Sequence, residues 1–464
     1  MSGDVARLSA LEIAGGVRGR SFTAIEVVEA LLARIERLNP DINAYTHIAA
    51  SRALEEAAQV DRAIAEGRDP GPLAGAPYSV KNLFDLRGVV TLAGSKINRD
   101  NPPAAEDATV VARLRAAGAV CLGAANMGEY AYDFVTINAH DGLTRNPRDR
   151  TRSAGGSSGG SGAGVAAGMC AFSLGTDTNG SVRVPASFCG VWGLKPTYGR
   201  LSRSGVFPFA GSLDTVGVLG RGVADLARAF DAMSGPDARD PACSGAATTP
   251  IEPEIERGSD GLRFGRLGGY FETGASPEAA AAVEAVADAL TEVERLELPH
   301  PQLARSAAYV ITAAEGGELH RERLARRAHD YDPGARDRFI AGALTPAAWY
   351  LHAQRFRAWW KAQMAEVFAR FDVLIAPATP ITAPGLDQQT FDFNGQQIPV
   401  RANVGLFTQP ITLIGLPVVA APVHAPGRLP IAVQLIGRPG AESQLLRAAR
   451  LLEQAGVCAA PVAD

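Results

Sequence analysis

The sequence has no surplus of positive charge. Its 464 residues carry 45 Lys+Arg against 49 Asp+Glu, a formal net charge of −4. A protein that binds nucleic acid by neutralising phosphates needs a basic surplus, so that class is set aside. There is no Cys-x-x-Cys and no His-x-x-x-His pair, the spacings that structural zinc sites favour. The five cysteines (Cys121, Cys170, Cys189, Cys243 and Cys458) are odd in number and scattered among apolar and glycine residues. They read as reduced thiols of a cytoplasmic protein, not as a disulfide frame. No apolar stretch reaches the ~20 residues that span a bilayer. The opening MSGDVARLSALEIAGG has an early acid and no long apolar core, so it does not read as a signal peptide. The expectation is a cytoplasmic chain that binds neither membrane nor nucleic acid. No internal repeat is visible. Hydrophobic residues at 47% and charged residues at 20% are ordinary globular usage, and a chain this long buries a large core without staples.

Ser9 to Leu38 reads as helical. Thr23 precedes AIEVVEALLARIERL, whose apolar positions recur every three or four residues, and Asn39-Pro40 is the expected end. A second helix is expected over about 49–66, and others over 108–117, 277–289, 347–371 and 442–454. Short apolar runs read as buried strands: Pro77 to Val80, Ala119 to Leu122 (stopping at Gly123), Val373 to Ile375, Val418 to Ala421 and Ile431 to Leu435. Their alternation with helical segments predicts an α/β fold, a sheet covered by helices on both faces. Strand signals at both ends of the chain favour a single domain over 1–464. It divides into a helical part over about 1–70, a core over about 71–220 and a variable, pocket-forming part over about 235–400. Residues 234–262 read as a surface excursion.

The densest glycine and serine stretch runs from Arg152 to Gly199. Apolar residues such as Val165, Phe172, Leu174, Val182 and Trp192 interleave with its glycines, so it is a buried, tightly turned segment and not a linker. Gly155 to Gly159 matches G-x-S-x-G, but the nucleophile elbow needs a strand before it, and RNPRDRTRSA over 145–154 is too charged for a buried one. A loose dinucleotide-type match over 162–167 fails for the same reason.

A longer match remains. GGSSGGSGAGVAAG followed by SLGTDTNGSVRVPASFCGVWGLKPTYGRLS, with Pro77-Tyr78-Ser79-Val80-Lys81-Asn82 upstream, closely resembles the signature of the amidase signature family. The residue types make chemical sense. A serine hydroxyl needs a base within hydrogen-bond reach, no histidine lies in the segment, and a lysine serves if burial keeps its amine neutral. The resemblance implies that Lys81 is the base, that Ser157 relays the proton from a cis peptide with Gly156, and that Ser181 attacks the amide carbon to form an acyl-enzyme. It implies an oxyanion hole from Thr178, Asn179 and Gly180, with Asp177 and Arg183 holding that loop by charged hydrogen bonds. It implies no cofactor and no metal. Two departures stand out. Asn179 replaces the usual first glycine, which demands an unusual backbone geometry of asparagine, and Val218 replaces the proline of D-x-x-G-P after Asp214.

Asn126 to Tyr130 and Thr144 to Pro147 resemble the amidotransferase branch of the family. That branch carries a glutamine-binding acid two residues before F-T-x-P; here Gly405 stands there, before Phe407-Thr408-Gln409-Pro410, which argues against glutamine. Gly128, Asp133 and Ile137 also replace that branch's D, G and E. The stretches TLAGSKINR, VITAAEGG, DRFIAG and AWYLHAQRFR resemble instead the members that hydrolyse carboxylated ureido amides. This implies a small-molecule amide substrate, 1-carboxybiuret foremost, cleaved to urea-1,3-dicarboxylate and ammonia in cyanuric acid degradation. It also implies a small helical partner protein, like the C component of an amidotransferase, in a heterotetramer with a dimer of the catalytic chain. Arg338 is the candidate for the substrate carboxylate. Another small amide, or the role of the A component in a glutamyl-tRNA amidotransferase-like complex, stays open as an alternative.

Overall fold

The computed structural model describes residues 5–245, 249–425 and 427–463. Eleven strands form one mixed sheet: β1 (Tyr45–Ile48), β2 (Pro77–Lys81), β3 (Val120–Ala125), β4 (Phe172–Asp177), β5 (Trp192–Lys195), β6 (Thr215–Gly220), β7 (Phe264–Leu267), β8 (Val293–Leu296), β9 (Val373–Pro377), β10 (Val418–Val423) and β11 (Ile431–Gly437). Their spatial order is β1-β3-β2-β4-β6-β5-β10-β11-β9-β7-β8. Strands from residue 45 and from residue 437 share the sheet, so the chain is one α/β domain.

The inner strands β2, β4, β9 and β11 are buried along their whole length, whereas the edge strands β1 and β8 are mostly half-buried or exposed. Successive residues of β9 divide between two cores, Val373 and Ile375 in one, Leu374 and Ala376 in the other. That period of two is the signature of a strand covered on both faces.

Two helices, Ala10–Arg18 and Ala24–Ile42, replace the continuous helix expected over 9–38. Each opens on its own capping box, Ser9 with Glu12 and Thr23 with Glu26, so two start signals divide the segment. The second helix also runs through Pro40. A proline there removes one N–H near the end of the helix, and Asn43 in the left-handed region closes it. The Asn39 amide then clasps Tyr45, donating to its carbonyl and accepting from its N–H. β3 continues past Gly123, whose close approach to the His47 carbonyl leaves no room for a Cβ.

The helices Ala50–Ala65, Thr109–Ala116, Pro277–Asp288, Ala347–Arg370 and Glu442–Gln454 stand where periodicity places them. Two long helices, Pro301–Arg327 and Pro333–Ala343, were not read from periodicity. They cross at glycines: a Cβ on Gly317 would meet the Ala343 nitrogen, and one on Gly342 the Ala313 carbonyl. Small residues at such a crossing erase the apolar stripe that periodicity relies on. Of the expected excursion over 234–262, residues 246–248 lie outside the described residues; a short 3-10 turn, Glu252–Arg257, packs beside the Glu442–Gln454 helix. No helix among the described residues is long and apolar enough to cross a membrane.

The sheet positions the site. β2 and β4 are parallel neighbours with Val80 opposite Leu174, so Lys81 and Asp177 emerge at the same end of the sheet. The buried, glycine-rich helix Gly159–Ala166 lies against them and carries Ser157 just ahead of its first turn.

Candidate active site

Lys81 ends β2 and is fully buried. Its Nζ donates to Ser157 Oγ at 2.7 Å and to Thr176 Oγ1 at 2.9 Å. Burial pushes the amine down to about 7, against the charges of Asp133, Asp214 and Asp177, which pull it up. Lys195 is also buried and pushed down to about 7, but it donates to the Pro196 and Leu416 carbonyls. A depressed amine does not by itself make a base. Lys81 differs in having a hydroxyl to deprotonate. Ser157 is joined to Gly156 by a cis peptide bond, as the resemblance implied.

Ser181 follows β4 in the loop Thr178-Asn179-Gly180-Ser181, ahead of the helix Arg183–Cys189. Asp177 organises that loop. Its carboxylate accepts from the Gly180, Val182 and Arg183 N–H groups at 2.7, 3.1 and 3.4 Å, and forms a two-pronged pair with the Arg183 Nε and Nη2 at 3.0 and 2.8 Å. Burial alone would raise this carboxyl; the Arg183 guanidinium outweighs it and holds Asp177 below the usual carboxylate range. Arg183 in turn donates to the Thr408 carbonyl and to Gln434, tying the loop to β11. Thr178 Oγ1 donates to Asp214 at 2.6 Å.

Two expectations about the loop are revised. Asn179 does not take the left-handed backbone; Gly180 does, at φ +136°, and a Cβ there would meet Thr408 Oγ1. Asn179 instead anchors the loop, its amide donating to Thr312 Oγ1 at 2.8 Å and its carbonyl accepting from Thr408 Oγ1. The Gly180 N–H is engaged by Asp177, so of the expected donors it frames the loop. The charged run before Gly155 does form a strand, Asp149–Ser153, but only in a two-stranded hairpin at the periphery, so the nucleophile-elbow geometry is absent there.

Ser181 lines a small cavity with Thr178, Asn179, Asp133, Tyr132, Phe134, Tyr309, Thr312, Arg338 and Gln409. Arg338, inferred only by resemblance, therefore shares the cavity of the candidate nucleophile. Its Nη1 donates to the Tyr132 carbonyl at 2.6 Å, and its guanidinium lies 3.8 Å from the Tyr132 ring centre.

The structure gives the glycine and acid departures a physical sense. A Cβ on Gly128 would lie 2.2 Å from Asp133 Oδ1, so positions 128 and 133 face each other and the space holds one carboxylate. Where the amidotransferase pattern has an acid at the first position and glycine at the second, this chain has the reverse. We expect Gly128→Ala to lower stability by about 1–3 kcal/mol through overpacking, read as a drop in thermal midpoint. The reciprocal change Gly128→Asp with Asp133→Gly should recover most of that loss. Gly405, where an acid was missed, lies against Phe134, whose ring would collide with any Cβ at 405. The Phe134 ring thus occupies the space that a side chain at 405 would take. Asp133, Thr176, Thr312 and Gln409 were not foreseen as site residues. Asp133 alone had a signal in the sequence, as a departure without a meaning.

Comparison with known proteins agrees with this architecture. The family model described as Amidase matches residues 26–446. AtzE, a component of the 1-carboxybiuret hydrolase of Pseudomonas sp. (strain ADP), is 51% identical over 97% of this chain and 99% of its own. The A component of the glutamyl-tRNA(Gln) amidotransferase of Symbiobacterium thermophilum is 38% identical over 96% of this chain and 95% of its own. A solved structure, described as an unexpected vestigial protein complex that reveals the origins of an s-triazine catabolic enzyme, superposes with a TM-score of 0.96 at 51% identity, covering 97% of this chain and 99% of that one. A 6-aminohexanoate cyclic dimer hydrolase superposes with a TM-score of 0.85 at 29% identity, covering 97% of each chain.

Proposed function

Because this chain belongs to the amidase family and is an amide-cleaving hydrolase, we propose that it hydrolyses the terminal amide of a small carboxylated ureido compound, 1-carboxybiuret first among them, through an acyl-enzyme on Ser181. The observation that carries this reading is the buried Lys81–Ser157 hydrogen bond at the end of the sheet from which the 178–181 loop emerges, with Ser181 of that loop lining a cavity.

In the proposed reaction neutral Lys81 takes the Ser157 proton while Ser157 takes that of Ser181, whose Oγ bonds to the amide carbon. Backbone N–H groups of the 178–181 loop other than that of Gly180 hold the oxyanion. Collapse returns the proton to the nitrogen, and ammonia leaves. Water, giving up a proton through the same relay, then bonds to the acyl carbon; the acyl–Oγ bond breaks, the proton returns to Ser181 and the acid leaves, urea-1,3-dicarboxylate when the substrate is 1-carboxybiuret. This step belongs to cyanuric acid degradation, in a cytoplasm that keeps thiols reduced. The collision between Phe134 and any side chain at 405 weighs against a glutamine-using amidotransferase component.

Ammonia release from 1-carboxybiuret made in situ, compared with glutamine and aliphatic amides, tests the reading. Preference for 1-carboxybiuret is expected, and turnover of glutamine with none of the ureido amide would overturn it. Arg338 is the proposed fork for the substrate carboxylate. Arg338→Lys keeps the charge but loses the fork and the stacking on Tyr132, so KM should rise about tenfold with kcat little changed; an unchanged KM would return Arg338 to a purely structural role.

A small helical partner protein is part of the proposal. Its support is the relative's description as a complex and the exposure of Leu344, Trp349, Leu351 and Trp359 along the Ala347–Arg370 helix and the turn before it.

A further inference from the structure

Gln409 fills the variable position of Phe407-Thr408-Gln409-Pro410 and takes no part in the proton relay. Its neighbour Thr408 ties it to the loop that carries Ser181. Thr408 Oγ1 donates to the Asn179 carbonyl, and the Thr408 carbonyl accepts from Arg183 Nη1 at 3.0 Å. Gln409 is therefore held at a fixed place relative to Ser181, and it lines the same cavity. The two ends of its side chain have different surroundings. Oε1 accepts from Arg305 Nε at 2.9 Å. A guanidinium only donates, so the oxygen faces Arg305 and the NH2 group points the other way. Nε2 has no hydrogen-bond partner among the described residues, yet it is not one of their enclosed, unpartnered atoms. It keeps accessible surface on a residue only 3% exposed, and that surface opens to the cavity that Gln409 lines.

A nucleophile (Ser181), a cation (Arg338) and an open neutral donor (Gln409) thus line one small space. A carboxylated ureido compound with a terminal amide brings three kinds of oxygen to it. The scissile carbonyl goes with the 178–181 loop and the carboxylate with Arg338. The inner carbonyl remains, and a neutral N–H donor is the group suited to it. We propose that Gln409 Nε2 donates a hydrogen bond to that inner carbonyl oxygen, and that this contact makes the site select acylated over alkylated ureas. The proposal rests on the reading of the substrate given above and names a residue that enforces it. A ligand with a methylene at this place strips water from Nε2 and returns no bond, and that loss is what rejects it.

Oxalurate and hydantoate make a matched pair. Both carry a carboxylate and a terminal ureido amide, and they differ only in a carbonyl replaced by a CH2. Their binding can be measured by calorimetry on full-length Ser181→Ala protein, which cannot turn them over, and on the same protein carrying Gln409→Glu or Gln409→Met. Glutamate keeps an oxygen for Arg305 and puts an acceptor where Nε2 was. Its charge opposes both carboxylates alike, so the ratio of the two affinities reads the contact. Methionine removes the donor without adding charge, and matching thermal midpoints check that each variant is folded. The expected result is oxalurate binding about fivefold to tenfold tighter than hydantoate in the first protein, with that preference lost in both variants. An equal preference in all three proteins would overturn the role of Gln409, as would no preference, or no binding of oxalurate, in the first. If the preference follows Gln409 while the wild-type chain releases no ammonia from 1-carboxybiuret, the choice of substrate fails and the recognition by Gln409 stands.

Discussion

Ser181→Ala should abolish ammonia release, by about ten-thousand-fold or more, while the protein stays folded. Loss of a nucleophile removes the covalent path outright, and a triad falls as a unit, so what survives is only the orientation and oxyanion contribution. The hydroxyl lies at the cavity wall and its loop is held by Asp177 and Arg183, not by Ser181 itself. The thermal midpoint should therefore move by little, about 1 kcal/mol of stability at most. Turnover retained within a few-fold would remove Ser181 from the reaction. A loss matched by unfolding would be read from the midpoint, and Ser181→Cys, of similar shape, would then serve as the second variant.

The second large effect concerns Lys81. Lys81→Met keeps most of the apolar stem and deletes the amine, so Ser157 and Thr176 lose their common donor. A general base is worth about 10²–10⁴-fold, and a loss near the upper end is expected because the proposed relay begins there. The same residue fixes the pH dependence. An amine accepts a proton only when neutral, and burial has pushed that of Lys81 down to about 7. Activity should therefore be low in acid and rise as the pH climbs through about 7, levelling above it. Residual turnover of Lys81→Met should lack that rise. Since Lys195 is pushed to about the same value, a rise that persists in Lys81→Met would assign the ionisation elsewhere and contradict the role of Lys81 as base.

Much of the candidate site was legible because its residues are close in sequence and their chemistry is restrictive. Ser157, Asp177, Ser181 and Arg183 lie within 27 residues, and the short apolar run before Lys81 already implied a buried amine. The position of Lys81 beside Thr176 depends on the parallel register of β2 and β4, which no local pattern states. The pairing of Gly128 with Asp133 and of Gly405 with Phe134 was hidden for a different reason. Each is a steric exclusion between residues brought together by the fold, and a glycine in a sequence does not say which neighbour requires it. In the fold, most helices were readable, whereas Pro301–Arg327, whose buried face is largely Ala and Gly, and its neighbour, crossing at Gly317 and Gly342, were not. The strand β8, half exposed at the edge of the sheet, carries too little apolar alternation to announce itself. Asn179 shows the opposite failure: a departure from a pattern suggested backbone strain, and the structure resolves it with a side-chain hydrogen bond to Thr312 instead.

The most direct test of the account is the mass of the enzyme trapped during turnover. Acid quenching in the first turnovers with a slowly deacylating amide, followed by peptide mapping, should find the acyl group on the peptide that contains Ser181. Adding hydroxylamine to the reaction should divert that group to the hydroxamate. An acyl group on Ser157 instead, or ammonia released in a burst with no acyl-enzyme and no hydroxamate, would contradict the assignment of Ser181 as the nucleophile.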